Sequence, residues 1–213
     1  MNTYTNVLPT TTSLTVDTGA TVDLAGGNQS IASLSGAGTI TNTSAHRAVL
    51  KLTEGESVFG GTLEGDIYLE LGENAVLDLC GNTICVSAVG GSGAIVNGTV
   101  IVTDRILPGG EDAVGTLTFA SAPVVAGATL EIEADGEDCD SIVVGGDFDI
   151  DGLAVRQPTY AGFTGHDYIV ISTSGTLSGE FSSHNLKSRY WKIEYKESSA
   201  HIQHSRALTI LVR

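Results

Sequence analysis

Short apolar runs alternate with polar residues along almost the whole chain. In Val22-Asp23-Leu24, Leu77-Asp78-Leu79 and Leu130-Glu131-Ile132, the aliphatic residues would point to one side of a strand and the carboxylate to the other. Glycine, asparagine, aspartate and serine separate these runs, as is typical of turns. An amphipathic run with the 3.6-residue period of a helix is missing from the sequence. The pattern therefore predicts an all-β chain built of many short strands.

This strand pattern recurs within the chain at an offset of 55 residues. Residues 20–42 and 75–97 align without a gap, and a weaker third copy starts at Ala128. The identical pairs are Ala20/Ala75, Asp23/Asp78, Leu24/Leu79, Gly26/Gly81, Gly36/Gly91, Gly38/Gly93, Ile40/Ile95 and Asn42/Asn97. Closely spaced strands also occur in sandwiches and jelly rolls, but a fixed internal repeat favours a solenoid. We therefore predict a right-handed parallel β-helix (solenoid) with a C-terminal capping region.

Three segments follow from this pattern. We expect an N-terminal extension over residues 1–11, the solenoid over residues 12–186, and a basic cap or assembly segment over residues 187–213. Aromatic residues concentrate in the last part of the chain, where an open solenoid end needs a cover for its core and strand edges. They are Tyr160, Phe163, Tyr168, Phe181, Tyr190, Trp191 and Tyr195.

Charge is distributed unevenly along the chain, which has 25 acidic and 10 basic residues and a net charge of −15. The acidic surface argues against nucleic acid and anionic membranes as partners, and no apolar run is long enough to insert into a membrane. The final segment is instead basic, and it supplies six candidates for end-to-end self-association or, alternatively, for a solvated cap. These are Lys187, Arg189, Lys192, Lys196, Arg206 and Arg213.

One family has repeats of this kind. The segment ATVDLAGGNQSIASLSGAGTITN at residues 20–42 resembles the passenger-associated β-strand repeat of bacterial autotransporter proteins, and residues 75–97 fit nearly as well. Later motifs, from Leu107-Pro108-Gly109-Gly110 to Trp191-Lys192-Ile193-Glu194-Tyr195, occur in the order found near the end of such passengers. The resemblance implies a parallel β-helix, export to the cell surface or medium, and a stalk or adhesin role. Residues 1–14 lack the pattern of a signal peptide, and residues 201–213 do not match the family ending, so the secretion route stays open.

Two of the three cysteines flank a predicted corner. Cys80 and Cys85 lie on either side of Gly81-Asn82, and both are expected to point outward. A disulfide between them is possible if their Cα atoms lie within about 7 Å. Cys139 remains as a free thiol within an acidic loop, and no pattern of cysteine and histidine ligands indicates a zinc site.

Three aspartates alternate in the motif D-F-D-I-D-G. Asp147, Asp149 and Asp151 would lie on one face of a strand, where a hard cation such as Ca²⁺ would relieve their repulsion. Their start is similar to an EF-hand loop, but Pro158 occupies the twelfth position, where that loop has Glu, and a helical frame is missing. A solvated acidic face is the alternative to a Ca²⁺ site of another kind.

Signatures of known catalytic classes are missing, and the histidines are scattered at positions 46, 166, 184, 201 and 204. The sequence therefore predicts a non-enzymatic, secreted or cell-surface structural or adhesion module without a cofactor. End-to-end self-assembly through the basic final segment is a further expectation. A glycan-binding spike or fibre is one alternative. A polysaccharide lyase or hydrolase is another, with the three aspartates and Arg156 as its only candidate site.

Overall fold

The chain forms an all-β solenoid of stacked parallel strands. The structure is a computed structural model, and it describes residues 5–125, 127–157, 163–186 and 191–204. Within these ranges the chain has 25 strands and no helix, which confirms the predicted all-β parallel solenoid. The strands are β1 (Ser13–Val16), β2 (Thr21–Asp23), β3 (Asn28–Ile31), β4 (Ser33–Gly36), β5 (Thr39–Asn42), β6 (Ala48–Leu52), β7 (Gly55–Phe59), β8 (Thr62–Gly65), β9 (Ile67–Leu71), β10 (Ala75–Asp78), β11 (Thr83–Gly91), β12 (Ala94–Val96), β13 (Thr99–Pro108), β14 (Thr116–Phe119), β15 (Thr129–Glu131), β16 (Ala134–Asp135), β17 (Asp138–Cys139), β18 (Ser141–Val144), β19 (Phe148–Asp149), β20 (Ala154–Arg156), β21 (Asp167–Thr173), β22 (Leu177–Ser178), β23 (Ser183–His184), β24 (Trp191–Lys196) and β25 (Ser199–His204).

Each of the first three passes of the chain visits three faces in turn. The strands β1, β4 and β7 belong to a ten-stranded sheet, β2, β5 and β8 to a three-stranded sheet, and β3, β6 and β9 to an eight-stranded sheet. Successive passes pair in parallel, for example Ser13 with Ser33 and Gly55 with Ala75. Because the chain returns to the same face at each pass, it builds a solenoid rather than two packed sheets.

The core is one continuous stack of apolar side chains. In the eight-stranded sheet, six residues that pair from one strand to the next are all at most 2% exposed. They are Leu50, Leu69, Val89, Ile106, Leu130 and Val155. A single buried cluster extends from Val16 to Ile202, so the core joins the first strand to the last. Burial of this apolar surface is the main favourable contribution to the fold.

The two clear copies of the repeat fold into the same corner. Asp23 accepts a hydrogen bond from the Ala25 N–H at 2.9 Å, and Asp78 accepts one from the Cys80 N–H at 2.7 Å. Ala25 and Cys80 have φ angles of 51° and 56°, in the left-handed region that few side chains adopt. The carboxylate of the repeat therefore stabilises a strained turn at the end of each strand.

The two copies nevertheless lie on different faces. Asp23 ends β2 in the three-stranded sheet, whereas Asp78 ends β10 in the ten-stranded sheet. The repeat of 55 residues is therefore not a whole number of solenoid coils. The repeat determines where the chain turns, but it does not determine to which sheet each of its strands belongs.

Two glycines of the repeat are required by close contact between coils. Gly36 and Gly91 have φ angles of +103° and +91°. A Cβ atom would lie 2.2 Å from the Val16 carbonyl oxygen at Gly36 and 1.9 Å from that of Leu71 at Gly91. Only glycine fits both the backbone conformation and the approach of the preceding coil.

The two ends of the solenoid are covered differently. At the C-terminal end, β25 pairs antiparallel with β21, and β24 pairs antiparallel with β25. This hairpin extends the ten-stranded sheet and buries Ala200 and Ile202 in the core, in agreement with the predicted capping region. At the N-terminal end, the Leu8 N–H and C=O are both bonded to the Gln29 side chain, which holds the segment before β1 beside β3.

Candidate functional sites

The three aspartates of the predicted Ca²⁺ site bind backbone amides of their own corner and of the next coil. Asp147 accepts a hydrogen bond from the Thr176 N–H at 2.8 Å, and Asp151 accepts one from the Glu180 N–H at 3.2 Å. Asp149 accepts one from the Asp151 N–H at 3.0 Å. Their carboxylates are therefore engaged in holding one coil to the next.

This arrangement is a further example of the repeat corner. Asp149-Ile150-Asp151-Gly152 matches Asp23-Leu24-Ala25-Gly26 in its leading aspartate, its aliphatic second residue and its glycine. The Leu153 N–H donates to the Ile150 C=O at 3.0 Å, and Gly152 has a φ of 87°. In the part of the chain that the structure describes, no group of three His, Cys, Asp or Glu side chains could hold a metal ion. The three aspartates therefore have a structural role in this turn, and binding of Ca²⁺ by them stays a prediction.

The predicted disulfide partners lie on the surface. Cys80, in the corner, and Cys85, on β11, are both exposed free thiols in the structure, so their pairing stays a prediction. Cys139, on β17, is also free and lies against β21, where its Sγ is 3.6 Å from the Ile169 carbonyl oxygen. Burial, with help from the neighbouring Asp140 and Asp138 carboxylates, raises the pKa of Cys139 to about 12 and disfavours its thiolate.

Two of the six basic assembly candidates lie within the described residues. Lys192 and Lys196 project from β24, the last strand of the ten-stranded sheet, and both are exposed. Their Nζ atoms lie 3.9 Å and 3.6 Å from the Glu194 carboxylate. Lys187, Arg189, Arg206 and Arg213 lie outside the described residues.

An apolar cavity of about 360 Å³ lies at the N-terminal end of the core. Its lining includes Val7, Leu14, Val22, Leu24, Ile40 and Leu50. Leu14, Val22 and Leu24 are only partly buried, although they occupy inward positions of the first coil. The composition of the sequence did not indicate this opening, because inward residues of an end coil have the same pattern as those of an inner coil.

Asp140 is a buried carboxylate that two backbone amides hold in place. It is 1% exposed, and it accepts hydrogen bonds of 2.8 Å from the backbone N–H groups of Gly115 and Glu133. Burial raises the pKa of Asp140 to about 7, despite these two hydrogen bonds, which lower it. The contacts hold the β16–β17 hairpin against the loop before β14, so the role of this carboxylate is structural.

A serine, a histidine and an aspartate form a hydrogen-bonded chain on the outer face of the cap. His201 Nδ1 lies 2.7 Å from Asp167 Oδ1, and His201 Nε2 lies 2.9 Å from Ser199 Oγ. His201 is 4% exposed. This group was not predictable from the sequence, because Asp167 is 34 residues from His201 along the chain. The only local signal is the spacing of Ser199 and His201, which places both side chains on one face of a strand.

The fold and these sites place the chain in the class of parallel β-solenoid proteins. A scan against models of known protein families finds no match, and a search of curated proteins finds no similar protein. The resemblance to autotransporter passengers therefore rests on the motifs of the sequence alone. No helix long and apolar enough to cross a membrane occurs in the described residues.

Proposed function

We propose that this chain is a structural or adhesion module of the cell surface or the medium, and that its copies stack end to end. The observation that carries the proposal is the arrangement of strands at the two ends of the ten-stranded sheet. Export is supported by the passenger-like repeats at residues 20–42 and 75–97. The parallel solenoid is compatible with a stalk, because its length grows with each coil.

The ten-stranded sheet begins with β1 and ends with β24. Because β24 is antiparallel to β25, and β25 is antiparallel to β21, the strand β24 runs in the same direction as β21 and the solenoid strands before it. A second copy, translated along the axis, would bring its β1 beside β24 in the parallel sense. Exposed strand edges of this kind are templates for pairing with another chain.

Apolar surface supports the same contact. The N-terminal cavity leaves Leu14, Val22 and Leu24 partly exposed, and these side chains would gain burial beside another copy. At the opposite end, Trp191, Ile193 and Tyr195 alternate on the inner face of β24, and none of them is fully buried. The partner that fits the N-terminal opening is therefore the C-terminal end of a second copy.

Charge favours the same head-to-tail orientation. Residues 1–46 contain Asp17 and Asp23 and neither lysine nor arginine, whereas residues 187–213 contain six basic and two acidic residues. Opposite charges on the two ends would attract at low ionic strength and would be screened by salt. A heterologous contact that does not close on itself produces filaments rather than closed rings.

Light scattering coupled to size exclusion, at low and high salt, tests the proposal. We expect multimers at low salt that dissociate at high salt. Leu24→Lys, which places a charge in the N-terminal opening, should abolish assembly. Val143→Lys, at a 39% exposed position on the outer face of the ten-stranded sheet, should leave assembly unchanged. A monomer at every concentration and salt, or equal assembly of both variants, would contradict stacking.

A glycan-binding fibre is the second candidate, and one observation favours it. Hydroxyl groups form ladders on the exposed surface, with oxygen–oxygen distances of 2.8 Å for Thr15–Ser35, 3.0 Å for Ser13–Ser33 and 2.9 Å for Thr116–Ser141. A glycan array distinguishes the candidates: specific binding without cleavage supports the fibre, and cleavage would support the polysaccharide lyase or hydrolase.

A further inference from the structure

We infer that Ser199 is an activated nucleophile that accepts acyl groups from small esters, with His201 as its general base and Asp167 as a positioning residue. This inference goes beyond the proposed structural role and does not depend on it. The Ser199 hydroxyl is within hydrogen-bond distance of one imidazole nitrogen, and the Asp167 carboxylate is within that distance of the other.

The topology of the cap brings the three residues together. Ser199 and His201 are two positions apart on β25, so their side chains leave the strand on the same side. Asp167 begins β21, which pairs with β25, and it lies opposite Gln203 in that pairing. Ala200 and Ile202 point the other way, into the core, and they hold β25 in place. The polar group is therefore built on paired strands rather than on a loop.

The hydrogen bonds determine which imidazole nitrogen carries the proton. An ionised carboxylate only accepts hydrogen bonds, so Asp167 requires the proton to be on His201 Nδ1. The Nε2 lone pair of the neutral ring then faces Ser199 Oγ at 2.9 Å, which is the geometry that a general base needs. Burial tends to raise the pKa of Asp167, but hydrogen bonds from His201 and Gln203 outweigh it and hold that pKa below its ordinary value.

A cation lies on the same face as the serine. Lys196 of β24 is directly opposite Ser199 in the β24–β25 pairing, and its charge also acts on Asp167. Its Nζ also lies 3.6 Å from the carboxylate of Glu194, which is opposite His201. Turned from Glu194 toward Ser199, the ammonium would stabilise the negative oxygen that develops when a carbonyl is attacked. Ser199 itself is partly exposed, so a small reagent reaches it from solvent.

Water is the co-reactant in this ester hydrolysis. Ser199 Oγ attacks the carbonyl carbon of an ester, and its proton passes to His201 Nε2. The bond to the ester's leaving oxygen breaks, and that oxygen takes the proton from Nε2 as an alcohol or phenol departs. A water molecule, deprotonated by the same nitrogen, then releases the acid and restores the hydroxyl. A fluorophosphonate would react through the first step alone, with loss of fluoride.

Labelling of the full chain with a fluorophosphonate, followed by intact mass and peptide mapping, tests the inference. We expect one adduct, on Ser199, that is absent in Ser199→Ala. His201→Gln retains hydrogen-bonding atoms but cannot accept the proton, and it should slow labelling on the order of 100-fold or more. Ser172→Ala, at the serine that pairs with Ser199 from β21, is the matched control and should label normally.

The role of Asp167 needs a separate comparison. Asp167→Ala should slow labelling, and Asp167→Glu, which restores the carboxylate, should recover part of the rate. Circular dichroism of each variant checks that the cap stays folded. The absence of an adduct on Ser199 in the folded wild-type chain, or an adduct whose rate is unchanged in His201→Gln, would overturn the inference.

Discussion

The two copies of the repeat have nearly the same residues and very different surroundings. Leu79 in the second copy is 0% exposed, because a coil packs on each side of it. Its counterpart in the first copy, Leu24, lies in the first coil and lines the N-terminal opening. The corner itself is the same in both copies, with a carboxylate bonded to the amide two residues later. The comparison shows that sequence determines the turn, whereas position in the stack determines burial.

The largest difference is expected when the shared leucine is truncated. Leu79→Ala removes a fully enclosed side chain and should lower the free energy of unfolding by about 2–5 kcal/mol. Leu24→Ala should lower it by only about 1 kcal/mol, because its side chain is already partly solvated. Urea denaturation of both variants measures the two costs. Equal costs would mean that the first coil is as enclosed as the fourth, contrary to this structure.

Two glycines of the second copy allow the cost of contact between coils to be measured apart from the cost of backbone strain. Gly91→Ala should lower the free energy of unfolding by about 2–4 kcal/mol, because the left-handed conformation and the clash with the Leu71 carbonyl add up. Gly81→Ala has a similar φ of +82° but nothing within 4 Å of its Cβ, and it should cost about 1 kcal/mol. A Gly81→Ala variant as unstable as Gly91→Ala would contradict the role assigned to coil contact.

Two carboxylates should give opposite pH dependences of stability. Burial raises the pKa of Asp140 to about 7, so the folded state favours the protonated carboxyl. The contribution of Asp140 to the free energy of unfolding is therefore present in full below about pH 4 and is lost as the pH rises to about 7. Asp140→Asn should remove this loss, which is at most about 4 kcal/mol for a rise of this size. Hydrogen bonds from Thr43 and Ala25 lower the pKa of Asp23. The contribution of Asp23 to the free energy of unfolding is therefore lost only as the pH falls below about 4. Melting curves between pH 3 and 8 check both signs, and parallel curves for Asp140→Asn and wild type would refute the first.

The smallest effect concerns the cysteines that distinguish the copies. Cys80 and Cys85 occupy the places of Ala25 and Ser30 in the first copy. If the predicted disulfide forms, the mass of the oxidised chain falls by two hydrogens and Cys139 alone reacts with maleimide after unfolding. Reaction of all three cysteines would show that Cys80 and Cys85 are unpaired. Cys80→Ala should change stability little, because alanine already occupies this conformation at position 25.

Local patterns predicted much of the fold. Period-two alternation and the repeat of residues 20–42 identified the parallel solenoid and the aromatic cap, because both depend on residues close in sequence. The antiparallel direction of β25 against β21 was not predictable, since nothing in a single strand specifies the sense of its partner. The contacts of the aspartates of D-F-D-I-D-G with backbone amides of the next coil were not predictable, because an amide such as that of Thr176 is 29 residues away in sequence. The contact of Ser199, His201 and Asp167 was missed for the same reason.

The mismatch between the repeat and the coil has a consequence for how such a chain changes in length. Asp23 and Asp78 stand at the ends of strands in different sheets, so one repeat advances the chain along the axis and also turns it about that axis. Duplication of one unit would therefore lengthen the rod and move every residue downstream onto another face. In this architecture, the number of repeats sets both the length of the rod and the direction in which its cap faces. Gain of a single copy would therefore turn the cap about the axis of the rod.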